Sequence, residues 1–371
     1  MKYLHILMIV FFVGCTSNKS TNAIISLKTC NHEIALSSFA DTLQIIQLMD
    51  DGNASVINEI DRVLFTDNRV FVLDRQGNKI VSFDKDGQYI TSTVKHVGRG
   101  NNEYIHLSDA ALDEKKRCIY VYCDTPKSIL VFDYDLNLLQ KENVDFLAHE
   151  IMVNDEDLLF LSSNAKKVYN YELIALDKNN LQSKPRTLLS TGETVPGLIG
   201  MGKYLCKAYN GDCYVSLPFQ PYIYKISNGE IINEYYIDFK DTWYDGNTSN
   251  RVSFLEHNDE KNWSITNIVQ NDSLLYFNTN NSNWFVANLG TKECHSYSFL
   301  KNDIISYVSS HILPTQGLSD CVVYQIYPYM INSFIKNVEE YGLPHKLKRN
   351  YELAKRFQSE NNPLIILWKF K

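Results

Sequence analysis

The sequence predicts an all-β protein, a six-bladed β-propeller with a short C-terminal helical insertion. Three observations predict this fold: an internal repeat of paired strands, strands at the two ends of the domain that could pair, and a composition without a linker. The 371 residues include 24 Tyr and 18 Phe, which favour strands. No stretch rich in Pro, Gly or Ser divides the chain after residue 40, so we expect one large domain.

The repeat consists of two strand-like runs with a tight turn between them. The runs 69–74 and 79–84 return as 118–123 and 128–133, at an offset of 49 residues. Fainter copies lie at 158–162 with 172–177, 213–217 with 222–227, 274–278 with 284–289, and 321–326. A small sheet cannot bury its own faces, so we expect six such units to pack around a ring.

The two ends of the domain are expected to close the ring. The last apolar run, 364–370, is strand-like, and the run 43–48 begins the domain.

Two segments interrupt the repeat. Residues 331–360 have apolar positions at helical spacing, which predicts helix, and residues 239–263 form a polar, aromatic insertion. The insertion contains Trp243, Tyr244, Arg251, His257 and Trp263.

The N-terminus has the pattern of an export signal. Lys2 precedes an apolar run over 4–13, which is too short to span a bilayer. The following Gly14-Cys15 resembles the lipobox of bacterial lipoproteins, and the alternative is an ordinary signal peptide with an incidental cysteine. The resemblance implies a signal peptide over 1–14, a lipidated Cys15 with a tether over 15–40, and a propeller over 41–371. Acyl chains would attach the protein to the membrane, and we expect the bacterial outer membrane, facing the periplasm or the cell surface.

Charge and motifs limit the partners and cofactors. A net charge of -7 and the lack of a basic stripe argue against a nucleic-acid partner. No metal-binding motif occurs, so we expect no metal site and no cofactor, although a calcium ion held by main-chain carbonyls in the channel would leave no motif. Cys206 and Cys213 could form a disulfide across a hairpin or pack as small buried side chains.

The repeat units also carry a family resemblance. Residues 98–104, 112–113, 119–121 and 129–133 give a glycine-rich lead-in, a first strand, an Ile-Tyr-Val strand and a Val-Phe-Asp strand. This order resembles NHL-type repeats, and the chain resembles the six-bladed β-propeller lipoproteins of Bacteroides and relatives. The resemblance implies the fold and the envelope location. It implies no activity, because that family has no settled one.

Candidate site residues follow from propeller geometry. The first strand of each blade lines the channel, and five polar residues fall on or beside those strands: Arg62, Asp109, His149, Glu150 and Tyr204. Asp109, His149 and Glu150 could perform acid–base chemistry, or they could be polar because the rim is wet. Arg62 and Tyr204 are binding candidates. The aromatic insertion could stack on sugars or anchor a protein, or its rings could pin the loop to the propeller.

The predicted function is a non-catalytic binding or interaction propeller of the cell envelope, with a glycan, a peptide or an envelope protein as its partner. The absence of a recognisable nucleophile motif favours this interpretation. The alternative is a hydrolase or lyase with its active site at the central channel. A third interpretation is a purely structural subunit.

Overall fold

The computed structural model describes residues 23–164, 170–192, 202–207, 212–227, 230–244, 261–301, 316–318, 321–341, 348–356 and 362–371. Two strands precede the repeat units, β1 (Ala23–Ala35) and β2 (Ala40–Gln47). Neither belongs to the sheet that follows it in sequence. Both pair with strands from much later in the chain, so the N-terminal segment joins distant parts of the fold.

Three four-stranded antiparallel sheets follow in chain order. The first sheet contains β3 (Arg62–Phe65), β4 (Arg69–Asp74), β5 (Lys79–Asp84) and β6 (Tyr89–Ser92). The second contains β7 (His106–Asp113), β8 (Cys118–Thr125), β9 (Lys127–Asp133) and β10 (Leu138–Asn143). The third contains β11 (Ala148–Val153), β12 (Asp157–Asn164), β13 (Asn170–Asp177) and β14 (Arg186–Ser190).

The sequence repeat between the first two sheets is also a repeat of turn structure. Asp84 Oδ1 accepts hydrogen bonds from the N–H groups of Asp86 and Gln88 at 2.9 and 2.8 Å. Asp133, 49 residues later, makes the same two bonds at the same distances. Gly87 has φ +83°, and a Cβ there would lie 1.9 Å from a main-chain oxygen of β2, so this position requires glycine.

A nine-stranded sheet contains the next eight strands and β1. The eight strands are β15 (Leu205–Lys207), β16 (Cys213–Val215), β17 (Tyr222–Ser227), β18 (Glu230–Asp238), β19 (Ile265–Gln270), β20 (Leu274–Thr279), β21 (Trp284–Asn288) and β22 (Glu293–Lys301). The order is β15-β16-β17-β18-β1-β22-β21-β20-β19. The prediction of six separate sheets therefore differs from the structure here, because β1 joins two antiparallel groups of four strands.

Strand β1 also corrects the predicted tether over 15–40. Its residues 23–26 pair in parallel with β18, and its residues 26–35 pair in parallel with β22. The side chains from Lys28 to Glu33 are all exposed. Main-chain hydrogen bonds therefore hold the middle of this strand, and apolar side chains reach the core from its two ends, near Ile25 and Ile34.

The closing sheet has the order β2-β25-β24-β23, with β23 (Gln316–Leu318), β24 (Cys321–Ile326) and β25 (Leu364–Phe370). The antiparallel register of β2 and β25 places Ile45 opposite Ile366 and Gln47 opposite Leu364. This pairing confirms the predicted closure. Helices α1 (Pro328–Tyr341) and α2 (Lys348–Arg356) lie between β24 and β25, which confirms helix within 331–360. In the part of the chain that the structure describes, neither helix could cross a bilayer.

The core lies between neighbouring sheets. Phe71 of the first sheet packs with Ile119 and Phe132 of the second, and Leu161 of the third packs with Val215 of the nine-stranded sheet. The strands β3, β7, β11, β15, β19 and β23 adjoin one another in chain order. We call them the inner strands. The fold is therefore all-β, with its sheets arranged as in a propeller around the inner strands.

Candidate functional site

Four charged side chains meet at the centre of the inner strands: Arg62, Asp109, Glu150 and Lys203. We call them the central ion cluster. Arg62 donates two hydrogen bonds to Asp109, from Nε to Oδ1 and from Nη2 to Oδ2, each 2.7 Å long. Arg62 Nη2 also lies 3.7 Å from Glu150 Oε2, and Lys203 Nζ lies 3.7 Å from Asp109 Oδ1. The side chain of Asp109 is completely buried, and that of Glu150 is 3% exposed.

Each carboxylate of the cluster also binds the main chain of the next inner strand. The N–H of Ile151 donates to Asp109 Oδ2 at 3.0 Å. The N–H groups of Tyr204 and Leu205 both donate to Glu150, also at 3.0 Å. The polar side chains therefore link β7 to β11 and β11 to β15, in addition to balancing charge.

Two uncharged residues continue these links around the ring. Gln316 of β23 accepts from the N–H of Val63 and donates to its carbonyl oxygen, both at 2.9 Å. Asn267 of β19 accepts from the N–H of Lys203 at 2.9 Å. Four of the six inner strands, β7, β11, β19 and β23, therefore carry a polar side chain that bonds to the main chain of a neighbouring inner strand or of the residues just before it.

Burial and nearby charges shift the pKa values of the two buried acids in opposite directions. Burial alone would raise the pKa of Asp109, but the charges of Arg62 and Lys203 and the hydrogen bond from Arg62 hold it below its ordinary value. Burial raises the pKa of Glu150 above its ordinary value, against the opposing effect of Lys203 and Arg62. Arg62 is thus paired most closely with Asp109, and Glu150 is the more readily protonated of the two.

A cavity of about 360 Å³ lies where the inner strands end. We call it the mouth pocket. Arg62 is at its wall with only 7% of its surface exposed, and partly buried apolar side chains supply much of the rest. These are Leu64, Phe65, Leu112, Val153 and Leu318. The exposed charged residues Glu114 and Lys207 also line it. Its volume and lining suit a small apolar group.

A second cavity of about 340 Å³, the polar pocket, shares one residue with the mouth pocket. Glu114 lines both cavities. The remaining lining residues of the polar pocket come from the β3–β4 turn and the second sheet: Thr66, Asp67, Asn68, Arg69, Arg117 and Tyr134. The two cavities are therefore neighbours on one face of the protein.

The structure brings together three of the five channel residues predicted from the sequence. Arg62, Asp109 and Glu150 form one cluster, and Tyr204 contributes its main-chain N–H while its ring is buried. His149 does not join them. Its Nε2 lies 2.7 Å from Ser163 Oγ, and burial lowers its pKa. The register of β11 against β12 shifts between Ala148 and Glu150, so His149 lies at an irregularity of the strand and has a different hydrogen-bond partner from Glu150.

The described aromatic residues of the insertion pack against the body of the protein. Trp243 stacks on Phe239, the first residue of the insertion, with ring centroids 4.7 Å apart, and Phe239 meets Phe285 of β21 edge-on at 5.4 Å. Trp263 stacks on Phe219, also at 5.4 Å. Tyr244 meets Phe219 edge-on at 6.0 Å. These contacts fit the pinning alternative that the sequence left open. Arg251 and His257 lie outside the described residues, as does Cys15.

Two further sequence features have local structural roles. Glu103 accepts a hydrogen bond from the N–H of Gly100, and a Cβ at Gly98 would lie 2.0 Å from the Glu103 carboxylate. The glycines of this connector therefore make room for Glu103. Cys206 and Cys213 are buried free thiols, so they take the packing alternative. In the described residues, no three His, Cys, Asp or Glu side chains converge as metal ligands.

No sequence pattern pointed to Lys203, Asn267 or Gln316 as site residues. Their signal is weak, because it is only a polar residue on or beside the first strand of a unit. Three of the faint repeat units lie in this part of the chain, so the strands could not be aligned from the sequence alone. The shared position becomes visible once Arg62 and Asp109 are placed on β3 and β7.

Comparison with solved structures finds one protein that shares the fold and two with a weaker likeness. A protein of Bacteroides fragilis NCTC 9343 that is described as exported has a TM-score of 0.64 and 17% identity, over 94% of this chain and 99% of that one. The virginiamycin B lyase of Staphylococcus aureus gives a TM-score of 0.42 and 12% identity, over 69% and 73%. BamB of Moraxella catarrhalis gives 0.44 and 10%, over 76% and 72%.

None of the curated proteins matches the chain. A family model does match, over residues 22–369, and it is described as a domain of unknown function, DUF4934. The match begins just before β1 and ends within β25, so it contains every inner strand and all but the last residue of the closing sheet. The chain belongs to the DUF4934 family.

Proposed function

We propose that this protein is an envelope lipoprotein whose six-bladed, NHL-like propeller binds a ligand at the mouth pocket without catalysing a reaction. The observation that carries the proposal is the contrast between the central ion cluster and the mouth pocket. The carboxylates of the central ion cluster are buried and hydrogen-bonded, whereas the cavity beside them is open to solvent and is lined in part by apolar side chains. Such a site suits binding.

Six blades are supported by the form of the nine-stranded sheet. Its halves, β15–β18 and β19–β22, are each four antiparallel strands in sequence order, as in the first three sheets. Among the described strands, β1 alone pairs with both halves, and its pairing with β18 covers four residues, Ala23 to Ser26. With the closing sheet, the inner strands then belong to six units, and β1 is a clamp across two of them.

A non-catalytic role is favoured over a hydrolase or lyase by how the candidate acids are used. Both oxygens of Asp109 accept hydrogen bonds from Arg62, and one also accepts from Ile151. Glu150 accepts from two main-chain N–H groups. A general acid or base must reach the reacting proton, and these groups are directed into the protein. His149 is likewise engaged, with Ser163.

Filling the mouth pocket should abolish binding without unfolding the protein. Val153 is partly buried at the wall, and Val153→Trp would place a large ring in a cavity of about 360 Å³. We expect the affinity for a neutral apolar fluorophore, N-phenylnaphthylamine, to fall at least tenfold in a fluorescence titration. Val94→Trp is the matched control, because Val94 is 46% exposed and does not line the pocket. Equal affinity of both variants and the wild type would contradict the proposed site.

The envelope location is supported by the N-terminal pattern and agrees with the described export of the Bacteroides fragilis protein of the same fold. In some bacteria an Asp directly after the lipidated cysteine is associated with retention in the inner membrane. The residue after Cys15 is Thr16, and this favours the outer membrane.

Replacing the proposed acylation site should release the protein from the membrane. Cys15→Ala removes the only thiol in the lipobox-like tetrad 12–15. We expect the wild type in the outer-membrane fraction and the variant in the soluble fraction of cells that express them. Cys30→Ala is the control, because Cys30 is an exposed thiol on β1 and should not affect fractionation. Membrane fractionation of both variants would contradict lipidation at Cys15.

A further inference from the structure

The mouth pocket and the polar pocket together suggest the chemistry of the ligand. Glu114, at the β7–β8 turn, lines both, so a ligand that fills the mouth pocket would extend past its carboxylate into the polar pocket. The mouth pocket offers apolar walls. The polar pocket offers charged and amide groups and the ring of Tyr134. A ligand that uses both must join an apolar group to a polar one.

The charges that remain available in the polar pocket are mainly negative. Arg69 is already engaged, since Nη2 donates to Asp135 at 2.7 Å and Nη1 donates to the carbonyl oxygen of Tyr134. The guanidinium of Arg117 keeps its positive charge and lies over the Tyr134 ring, 5.0 Å from its centroid, so one cation faces the two carboxylates of this pocket. In the portion of the chain that the structure describes, the exposed carboxylates of Asp67 and Glu114 take part in no ion pair.

The cations of the mouth pocket do not offset these carboxylates. Arg62 is buried and bonded to Asp109. Lys207 lies at the end of β15, and the inner strand β11 separates β15 from β7, which leads to Glu114. A positively charged group of a ligand would therefore be attracted to the side of the cleft that contains Asp67 and Glu114. The net charge of -7 also favours a cationic partner.

We infer that the ligand is a peptide with an apolar side chain next to a lysine or arginine. This inference rests on the proposed function, and it adds the ligand class. The apolar side chain fills the mouth pocket, and the cation binds Glu114 and Asp67. Asn68, exposed at the β3–β4 turn, offers an amide donor and acceptor that match a peptide main chain. Charge-assisted hydrogen bonds to the carboxylates would select a lysine or arginine over a neutral or acidic side chain.

The test uses three synthetic hexapeptides with acetylated and amidated ends in a Gly/Ser background, containing Leu-Lys, Leu-Glu or Ser-Lys. Affinities are measured by isothermal titration calorimetry on the mature protein. We expect the Leu-Lys peptide to bind at least tenfold more tightly than either of the others. Raising the salt concentration should weaken its binding, because screening acts on exposed charges.

Variants separate the role of charge from that of the pocket. Glu114→Gln should weaken binding of the Leu-Lys peptide about tenfold and should remove its advantage over Leu-Glu. Glu156→Gln is the matched control, because Glu156 is an exposed acid at the β11–β12 turn that lines neither cavity. We expect this control to bind like the wild type.

Failure of this inference can be told apart from failure of the proposed function. If Leu-Lys and Leu-Glu peptides bind equally, or if Glu114→Gln has no effect, the peptide charge inference is overturned. The proposed function would still stand if N-phenylnaphthylamine binds the wild type and not Val153→Trp. If a neutral oligosaccharide binds and displaces the fluorophore while no peptide does, the ligand is a glycan and the inference is overturned. If neither fluorophore nor peptide binds, both proposals fail.

Discussion

Arg62→Met should destabilise the protein by about 3 to 5 kcal/mol, the usual effect of removing one partner from a buried ion pair. The substitution keeps a chain of similar length but removes the two 2.7 Å hydrogen bonds to Asp109. Among the described residues, Lys203 would then be the cation that still lies within 4 Å of these buried carboxylates, at 3.7 Å from Asp109. Denaturant unfolding at pH 7.5 measures the loss.

The effect of Arg62→Met should depend on pH in a defined direction. In the wild type the pKa of Asp109 is lowered, so its stabilisation is present above the unfolded pKa and is lost as the pH falls through the folded pKa. Without Arg62 the pKa values of Asp109 and Glu150 both rise, so their ionisation costs stability as the pH rises through those values. The difference between variant and wild type should therefore be largest near pH 7.5 and should shrink toward pH 4.

An exposed ion pair provides the control for this experiment. Lys115 and Asp155 lie 2.9 Å apart with side chains 78% and 69% exposed. Lys115→Met should leave the unfolding transition unchanged, because solvent already screens this pair. If Arg62→Met were equally harmless, or if its effect did not change between pH 7.5 and pH 4, the central ion cluster would not hold the inner strands together as we describe.

The all-β fold was predictable because the first two units retain their patterns. Their strand runs alternate with turns in which Asp84 and Asp133 accept identical main-chain hydrogen bonds, and such local chemistry is visible in the sequence. The closure was also predictable. Ile366 and its neighbours form a long apolar run that needs a partner, and β2 supplies it.

The nine-stranded sheet was not predictable, for a physical reason. Strand β1 joins β18 and β22 through main-chain hydrogen bonds, which any residue except proline can make. Its exposed residues, such as Thr29 and Asn31, do not pack into the core, so these positions do not require apolar side chains. The segment therefore has the composition of a tether although it is a strand.

The candidate site was predictable only in part. Arg62, Asp109 and Glu150 could be assigned to the channel because each falls on the first strand of a unit. The mouth pocket could not be predicted from the sequence, because the ends of five inner strands form it together. No sequence pattern connects residues as distant as Leu64 and Leu318. The role of Glu114 could not be predicted either, because it depends on the two cavities that this residue lines.

Deleting residues 364–371 should abolish cooperative folding. The deletion removes β25, which lies between β2 and β24, so the closing sheet would lose its central connection. It also removes buried side chains, including Ile365, Ile366 and Trp368, from the core. A ring of sheets depends on every interface, so the loss should reach the first sheet as well. Circular dichroism and hydrogen exchange of amides in β3 to β5 measure the two effects.

A pair of point variants tests the same closure without shortening the chain. Ile366 is completely buried opposite Ile45, so Ile366→Ala should cost about 2 to 5 kcal/mol by leaving a cavity. Ile24 is 57% exposed on β1, and Ile24→Ala should cost far less because it empties no packed site. If closure couples the whole ring, Ile366→Ala should speed exchange in the first sheet, which Ile366 does not belong to. Exchange that changes only in β2, β24 and β25 would show that the closing sheet unfolds alone, and the ring would not be a single cooperative unit.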